Sequence, residues 1–253
     1  MATLNAPYGV AVDASGAVYI ADRGNSLIRR VAPGGGAVST FAGVVSSVAS
    51  LDGVGTGATF YMPASIIVNV SSRSAAGAGG LVVADTYGQR VRAVTTPGAA
   101  VTTLAGQTAS GFANGVGTNV KFTLPRGLCA DARGVVYTVE NTNNIVRTLL
   151  PSAAVATLAG GGAGGTGAGF ANGLGSNALF SAPATCALAA DGATVVVTDY
   201  GNHAIRAISP AGAVTTLAGT GGVAGTANGV GTAVRVGRRH PCGACPPPHP
   251  PPP

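Results

Sequence analysis

Charged side chains are scarce in this chain of 253 residues, of which Asp, Glu, Lys and Arg together make up only 9%. Disordered chains combine low hydrophobicity with high net charge, whereas here 46% of the residues are hydrophobic and the net charge is +6. We therefore predict a folded chain with a substantial core. The uncharged stretch from Thr148 to Ala190 is interrupted by Gly, Ser, Thr and Asn, so we predict no membrane-spanning helix of about 20 apolar residues. Residues 1–10 lack a basic start followed by an apolar run, so we expect no secretory signal there.

Lysine is nearly absent, since Lys121 is the only one beside thirteen arginines. We interpret this ratio, together with abundant Ala, Gly and Pro, as a compositional bias, so an arginine alone says little about binding. Three arginines follow the last repeat, which leaves eleven basic against eight acidic residues before them. Nucleic-acid-binding domains show a clustered basic face, and no such cluster is visible in this sequence. The glycine runs also lack the Lys-Ser/Thr ending of a phosphate-binding loop.

A repeated unit of about 57 residues occupies most of the chain, in four copies. The first copy alternates valines with small residues after Pro7, turns at Asp13–Gly16, and then shows three further strand-like segments. We predict these strands at Val18–Ala21, Leu27–Val31 and Val38–Ala42. Four short strands in each repeat are typical of a β-propeller blade, since each repeat must stack on its neighbours to bury a core.

The fourth predicted strand ends in glycine in every copy, where the chain must leave the sheet sharply. These glycines are Gly43, Gly106, Gly160 and Gly219. A connector follows, which begins with Asp or Asn before Gly, a favoured turn pair. Its first residues are Asp52, Asn114, Asn172 and Asn228. Phe60, Phe122 and Phe180 close three of the connectors, and we expect each ring to anchor its connector on the core.

Each copy also carries an acidic residue seven positions before an arginine. The pairs are Asp22/Arg29, Asp85/Arg92, Glu140/Arg147 and Asp199/Arg206. If the turn between the second and third strands is centred between Asn25 and Ser26, Asp22 lies directly opposite Arg29, where opposite charges attract. We predict a structural role for these pairs, because a catalytic residue is needed once and this pair occurs in every unit.

These residues resemble the NHL repeat, in which a Pro-Gly-Val start, an Asp after a V-Y-[VI]-A strand, an Asn and an I-R-x-V strand recur. The resemblance covers Leu4 to Val236. It implies a propeller, commonly six-bladed, that serves as a binding platform for proteins, RNA or other ligands. Related propellers include lactonases and an amidating lyase. The sequence holds no RING, B-box or thioredoxin-like segment, so ligase and redox roles of multidomain relatives do not carry over.

The resulting prediction is an all-β chain with one propeller domain over residues 1–236 and a Pro-rich disordered tail over residues 237–253. The blades span about residues 4–60, 61–122, 123–180 and 181–236. Four blades are compatible with a closed small propeller or with a fragment of a larger, six-bladed one, and the repeat pattern favours the fragment because it is cut within a connector at both ends. The second copy carries an inserted loop, SSRSAAGAGG, between its first two strands.

Few residues remain for chemistry once the repeat is accounted for. The acids outside the four pairs follow a first strand or begin a connector, and no carboxylate is left over. They are Asp13, Asp131, Asp191 and Asp52. His203 lies in a predicted turn, and Cys129 and Cys186 lie in predicted first strands, where a buried thiol is expected.

Two short motifs lie outside the repeat pattern. The tail carries a single C-x-x-C, Cys242 and Cys245, flanked by His240 and His249, without the second half of an established zinc site. Asn69-Val70-Ser71 matches a glycosylation acceptor, which functions only in a secreted setting. We predict no catalytic residue, no cofactor and no metal site.

We expect a non-catalytic interaction or scaffold module with a protein or other macromolecular partner. Two alternatives stay open: a propeller enzyme of the lactonase or lyase type, and an RNA-binding propeller. An enzyme would need off-pattern His, Asp, Glu or Asn side chains that converge on the channel, whereas RNA binding would need a basic face and a steep salt dependence. The sequence does not specify the compartment or the oligomeric state.

Overall fold

A computed structural model describes residues 3–69 and 79–233 of the chain. The Pro-rich tail with Cys242 and Cys245, residues 70 and 71 of the glycosylation motif, and most of the inserted loop lie outside the described residues. Nineteen β-strands and several single-turn 3-10 segments make up the described regular structure. Among the described residues no helix has the length and apolar character that a membrane span requires.

The strands form four antiparallel sheets that follow one another along the chain, so the predicted all-β architecture of four blades is confirmed. The first sheet contains β1 (Pro7–Val12), β2 (Val18–Asp22), β3 (Leu27–Val31) and β4 (Val38–Gly43). These bounds match the predicted strands to within one residue for β2, β3 and β4. Proline, which fixes its own φ and donates no hydrogen bond, begins the two longest first strands of the blades: Pro7 begins β1, and Pro125 begins the first strand of the third sheet.

The remaining three sheets repeat this order. The second sheet contains β6 (Ile66–Val68), β7 (Leu81–Asp85), β8 (Arg90–Val94) and β9 (Ala100–Gly106). The third contains β11 (Pro125–Ala130), β12 (Val136–Glu140), β13 (Ile145–Leu149) and β14 (Ala154–Gly160). The fourth contains β16 (Cys186–Leu188), β17 (Val195–Asp199), β18 (Ala204–Ile208) and β19 (Ala213–Ala218).

The connectors add a strand that the sequence did not predict. Two residues of each of the first three connectors pair with the fourth strand of the blade that follows, which makes those sheets five-stranded. These short strands are β5 (Gly53–Val54), β10 (Gly115–Val116) and β15 (Gly173–Leu174). The 3-10 turn after each one packs on the fourth strand of the preceding blade. Each connector therefore joins the outer edges of two neighbouring blades.

The core lies between consecutive sheets. One cluster of buried side chains packs the first sheet on the second around Tyr19, Ile28 and Val83. A second cluster lies between the second and third sheets, and a third between the third and fourth. Phe60, Phe122 and Phe180 are fully buried in these three clusters, as predicted for the rings that anchor the connectors.

The glycine at the end of the fourth strand is confirmed as a conformational requirement. Its φ is +105° at Gly43, +100° at Gly106, +96° at Gly160 and +91° at Gly219, a region that L side chains avoid. A Cβ at Gly106 would also meet the carbonyl oxygen of Gln89 at 2.4 Å. The positive φ and the lack of room for a Cβ atom therefore both favour glycine where the chain leaves the sheet.

The predicted register of the second hairpin is wrong by two residues. Ile20, not Asp22, is the Cα partner of Arg29, and Asp22 lies opposite Leu27. The cause is a four-residue loop: a 3-10 turn over Arg23–Asn25 precedes Ser26, which has a left-handed φ of +58°. Asp22 and Arg29 are thus diagonal neighbours on one face of the hairpin.

Candidate functional site

The four acid–arginine pairs lie at the same place in each blade, where the second strand ends beside the third. Their closest N–O distances are 3.8 Å for Asp22/Arg29, 3.0 Å for Asp85/Arg92, 3.0 Å for Glu140/Arg147 and 2.8 Å for Asp199/Arg206. Both side chains are fully buried in the last three pairs, whereas Arg29 is 12% exposed. The structure therefore brings the two members of each pair together, although not in the predicted register.

Each acid ties its blade to the chain segment that enters it. Asp22 accepts a hydrogen bond from the backbone N–H of Asn5 at 2.8 Å, and Asp199 accepts one from Ser181 at 2.8 Å. The corresponding donors in the second and third blades are Tyr61 and Thr123. A buried carboxylate is stable only when its oxygens are bonded, and these N–H groups provide part of that bonding.

Each buried arginine bonds the connector that precedes its blade. Arg206 donates to Asp199, to the backbone oxygens of Leu179 and Ala171, and to Oδ1 of Asn172 at 2.8 Å. The same Asn172 oxygen accepts a bond from Thr216 at 3.0 Å. Arg147 repeats these contacts with Asn114, and Arg92 with Asp52. The connector's first residue, predicted only as a turn former, is therefore also the arginine's partner.

The guanidinium groups also lie over the rings that anchor the connectors. Arg92, Arg147 and Arg206 lie 5.4, 5.0 and 5.3 Å from the ring centroids of Phe60, Phe122 and Phe180 respectively. A cation over an aromatic face is attracted by the ring quadrupole. The phenyl rings thus hold the arginines as well as the connectors.

In the second blade a different residue supplies one of the hydrogen bonds to the acid. In the other three blades an Asn three residues after the acid donates to it, as Asn25 does to Asp22 at 2.8 Å. Gly88 occupies that position in the second blade, and the hydroxyl of Ser50 donates to Asp85 instead, at 2.5 Å. The carboxylate is therefore served by a group from a different part of the chain.

Burial is the largest influence on the pKa of three of these carboxyl groups, Asp85, Glu140 and Asp199. It raises the pKa of Asp85 to about 6, against the bonds from Ser50, Arg92 and Tyr61 that lower it. Burial also raises the pKa of Glu140 and of Asp199 above their ordinary values. Raised values often mark catalytic groups, but these oxygens are occupied by main-chain, amide and guanidinium donors. No free face is left for a substrate.

The other candidate residues lie in structural positions as well. Asp13 and Asp191 each accept bonds from their own turns, and a side-chain bond from Ser15 and from Thr194 respectively lowers their pKa values. His203 is buried and has a left-handed φ of +53°, at the same turn position as Ser26, Gln89 and Asn144. In residues 3–69 and 79–233 no three His, Cys, Asp or Glu side chains could hold a metal ion together.

A cavity that the sequence analysis missed opens at the end of the sheets where second strands end and third strands begin. We call this end the 2–3 face. The cavity, of about 170 Å³, lies among the first three blades and its polar lining includes Arg23, Tyr87, Arg126 and Asn141. A second, more apolar cavity of about 310 Å³ shares the Tyr87 side chain. Tyr87 is 40% exposed, so part of its side chain is available to a ligand in these cavities.

Two arginines of the 2–3 face lie against tyrosine rings and not against acids. Arg23 lies 5.8 Å from the ring centroid of Tyr87, and Arg126 lies 5.2 Å from that of Tyr8. The ion pairs of the described residues include neither arginine. The acids at this end, Asp22 and its three counterparts, are buried. The cavity is therefore cationic and aromatic.

The signal for this site lies in the differences between the repeats. The position after the acid holds Arg23, Thr86, Asn141 and Tyr200, and the position after the opening proline holds Tyr8, Ala64, Arg126 and Ala184. Both positions change their chemistry between copies, while the acid and the proline beside them keep theirs. Residues that the architecture does not specify are the ones available to bind a ligand.

Comparisons with known proteins agree with the fold. The family model of the NHL repeat matches residues 4–30, which confirms the predicted resemblance for the first repeat. No curated protein matches the chain. The chain is similar to a solved streptogramin B lyase, with a TM-score of 0.57 and 13% identity, over 86% of this chain and 56% of that one.

Two further solved structures give the same picture. An auxiliary nutrient binding protein from Bacteroides ovatus has a TM-score of 0.62 and 18% identity, over 83% of this chain and 48% of that one. A virginiamycin B lyase from Staphylococcus aureus has a TM-score of 0.55 and 13% identity, over 83% and 55%. At these identities the likeness concerns the fold alone. The chain spans about half the length of the structures it matches.

Proposed function

We propose that the chain is a non-catalytic binding module of the propeller type whose 2–3 face binds an acidic segment of a protein partner. The observation that carries this proposal is the pair Arg23 and Arg126, which line one cavity without an acidic partner among the described residues. Guanidinium groups favour carboxylates, which they bind with two parallel hydrogen bonds.

The bonding of the acids supports binding over catalysis. General acid–base chemistry needs a titratable group within reach of the substrate, whereas the four repeated acids are buried against arginines and main-chain N–H groups. His203 is buried at a turn position shared by all four blades. The lyases among the similar structures share the fold with this chain, but the cavity lined by Arg23 and Arg126 holds no His, Asp or Glu among its described lining residues, and Asn141 is the one Asn among them.

The distribution of exposed charge supports a protein partner over RNA. A nucleic-acid surface requires a continuous basic patch, with aromatic platforms for several bases. Here the cavity contributes two arginines, and the opposite end of the sheets carries two turn acids, the half-buried Asp13 and the exposed Asp191. The two arginines beside two tyrosines suit a short peptide segment that carries a few carboxylates. An apolar or aromatic side chain of the same segment would fill the neighbouring cavity, which Leu51 lines.

Fluorescence anisotropy with a labelled ten-residue peptide of alternating Glu and Leu tests this function. We expect saturable binding that weakens with added salt, and a loss of about tenfold or more in affinity when Arg23→Gln and Arg126→Gln are combined, since hydrogen bonds to charged groups are each worth about 1.5–3 kcal/mol. Arg133→Gln is the matched control, because this arginine is 71% exposed and pairs with Asp131 at the opposite end.

Three results would contradict the proposal: no binding of the peptide, equal affinity of the double variant and the wild type, or equal losses in the double variant and the control. A single-stranded RNA of the same net charge serves as the competitor. If that RNA binds more tightly than the peptide and its binding depends on the same two arginines, the RNA-binding alternative replaces the protein-binding one.

A further inference from the structure

A cavity of about 420 Å³ opens between the first and second blades, at the end of the sheets opposite to the 2–3 face. Its lining combines one acid, one arginine and several hydroxyl groups with the rings of Phe41 and Pro97. The acid is Asp13, the arginine is Arg30, and the buried Tyr19 supplies one of the hydroxyls. Among the described lining residues there is no member of the four repeated acid–arginine pairs, so these groups are not used by the network that holds the blades together.

Asp13 can accept a further hydrogen bond from a ligand in this cavity. Its Oδ1 accepts bonds from the backbone N–H groups of Ser15 and Ala17 and from the Ser15 hydroxyl. Its Oδ2 accepts a bond from the Tyr19 hydroxyl at 3.2 Å. Each oxygen of a carboxylate has two acceptor sites, so Oδ2 has one left. The side-chain bond from Ser15 lowers the pKa of Asp13, which is therefore ionised at neutral pH.

The third blade contains the same turn with its acid occupied. Asp131 stands at the position of Asp13, and Arg133 stands at the position of Ser15. Arg133 donates to Oδ2 of Asp131 from Nε at 2.9 Å and from Nη2 at 2.7 Å. In the first blade the serine supplies no charge, and the ion pairs of the described residues do not include Arg30. Asp13 and Arg30 therefore line one cavity without forming an ion pair.

The separation of Asp13 and Arg30 is limited by the hydroxyl that lies between them. Arg30 is the Cα partner of Tyr19 in the second hairpin. Burial raises the pKa of Tyr19, and a hydrogen bond with Arg30 acts against that rise. Because the same hydroxyl donates to Asp13, at most about 6 Å, the length of two hydrogen bonds, separates the carboxylate oxygen from the guanidinium. A gap of this width suits a ligand whose positive and negative groups are attached to one carbon atom.

The opening of the cavity is a general feature of the blades, whereas its arginine is not. Ser39 on β4 lines the cavity and is exposed. The residues at its position in the other three sheets are also exposed, although a connector strand lies beyond each of them. They are Thr102, Ala156 and Thr215. Arg30, in contrast, occurs in the first blade alone. Its counterparts are Ala93, Thr148 and Ala207.

We propose that this cavity binds a free α-amino acid with an apolar or aromatic side chain. The ligand's carboxylate accepts hydrogen bonds from Arg30, whose planar guanidinium favours such a partner. Its ammonium group donates to Oδ2 of Asp13, and its side chain packs on Pro97 and on Phe41, which is half-buried and lies edge-on against Tyr19. The site carries one charge of each sign, so a ligand with a single charge leaves either Asp13 or Arg30 without a partner.

Isothermal titration calorimetry of the full chain with L-phenylalanine tests the proposal. We expect saturable binding. Two analogues that each lack one charge, phenethylamine and 3-phenylpropanoate, should bind about tenfold or more weakly, since each loses a hydrogen bond to a charged group. Arg30→Gln should weaken the binding of L-phenylalanine to a similar degree and leave that of phenethylamine, which has no carboxylate, unchanged. Arg133→Gln is the matched control, because it removes an arginine that is 71% exposed from the same turn of the third blade.

The analogues are measured on the wild-type chain, so the test stands even if a variant fails to fold. No binding of L-phenylalanine overturns the proposal, as do equal affinities for L-phenylalanine and both analogues, or equal losses in Arg30→Gln and the control. Binding of a neutral disaccharide that depends on Arg30, in place of the amino acid, also overturns it. The Arg23→Gln/Arg126→Gln variant should bind L-phenylalanine as the wild type does, so this proposal and the peptide-binding proposal fail or succeed separately.

Discussion

Replacement of Arg147 by Met should destabilise the third blade and its attachment to the connector that joins it to the second blade. Arg147 is fully buried and donates to Glu140 at 3.0 Å, to the backbone oxygens of Lys121 and Ala113, and to Asn114 at 2.7 Å. Met fills much of the same volume but donates no hydrogen bond. The change therefore leaves a buried carboxylate without its counter-charge and removes one of the two hydrogen bonds that each of the main-chain oxygens of Lys121 and Ala113 accepts.

Loss of one partner of a buried ion pair costs about 3–5 kcal/mol. For a chain of this size each 1 kcal/mol lowers the melting temperature by about 2–4 °C, so Arg147→Met should melt roughly 6–20 °C below the wild type. Urea unfolding followed by circular dichroism provides the free energy, and scanning calorimetry the temperature. Arg133→Met is the control, because Arg133 is 71% exposed and exposed pairs contribute about 0–1 kcal/mol.

A loss below about 1 kcal/mol for Arg147→Met, or equal losses for the two variants, would refute the structural role of the pairs. In that case the buried charges would be free for another purpose, and the repeated carboxylates would become candidates for catalysis.

Three further predictions concern the same network. Burial raises the pKa of Asp85 to about 6, so the folded state holds this proton more tightly than the unfolded state does. The resulting contribution to the free energy of unfolding is complete below about pH 4 and is lost as the pH rises to 6. Urea unfolding should therefore show that the loss of stability caused by Asp85→Asn becomes smaller by up to about 3 kcal/mol over that range. Ser50→Gly should cost about 1–3 kcal/mol in urea unfolding by removing a donor from Asp85; a loss below about 0.5 kcal/mol would argue against the role of this hydroxyl. Gly106→Ala should lower the melting temperature clearly more than Gly35→Ala, since both have positive φ but only the Cβ at 106 meets backbone, and equal melting temperatures would contradict this reading of the strand end.

The sequence predicted the blades well because their strands are determined locally. Alternation of valines with small residues and turn residues at fixed offsets located β2, β3 and β4 to within one residue. The predicted register of the hairpin was wrong because Ser26 adopts a left-handed backbone conformation, which a serine in the sequence does not indicate. The two-residue strands such as Gly53–Val54 were missed because a segment that short has no periodicity.

The candidate site was less accessible from the sequence for a different reason. Arg23, Tyr87 and Arg126 come from three blades, and only the packing of consecutive sheets brings them to one cavity. The repeat drew attention to residues that stay the same, such as Asp22, which the structure places in buried bonds. The proposed binding residues Arg23 and Arg126 stand at positions that differ between copies.

The most direct test of the proposed function is an NMR titration of the assigned, ¹⁵N-labelled chain with the Glu-Leu peptide. The proposal predicts that amide shifts concentrate on the 2–3 face, at Arg23, Tyr87 and Arg126, and disappear in the Arg23→Gln/Arg126→Gln variant. Shifts that concentrate around Asp13 and Asp191 at the opposite end, or that persist in the variant, would contradict it.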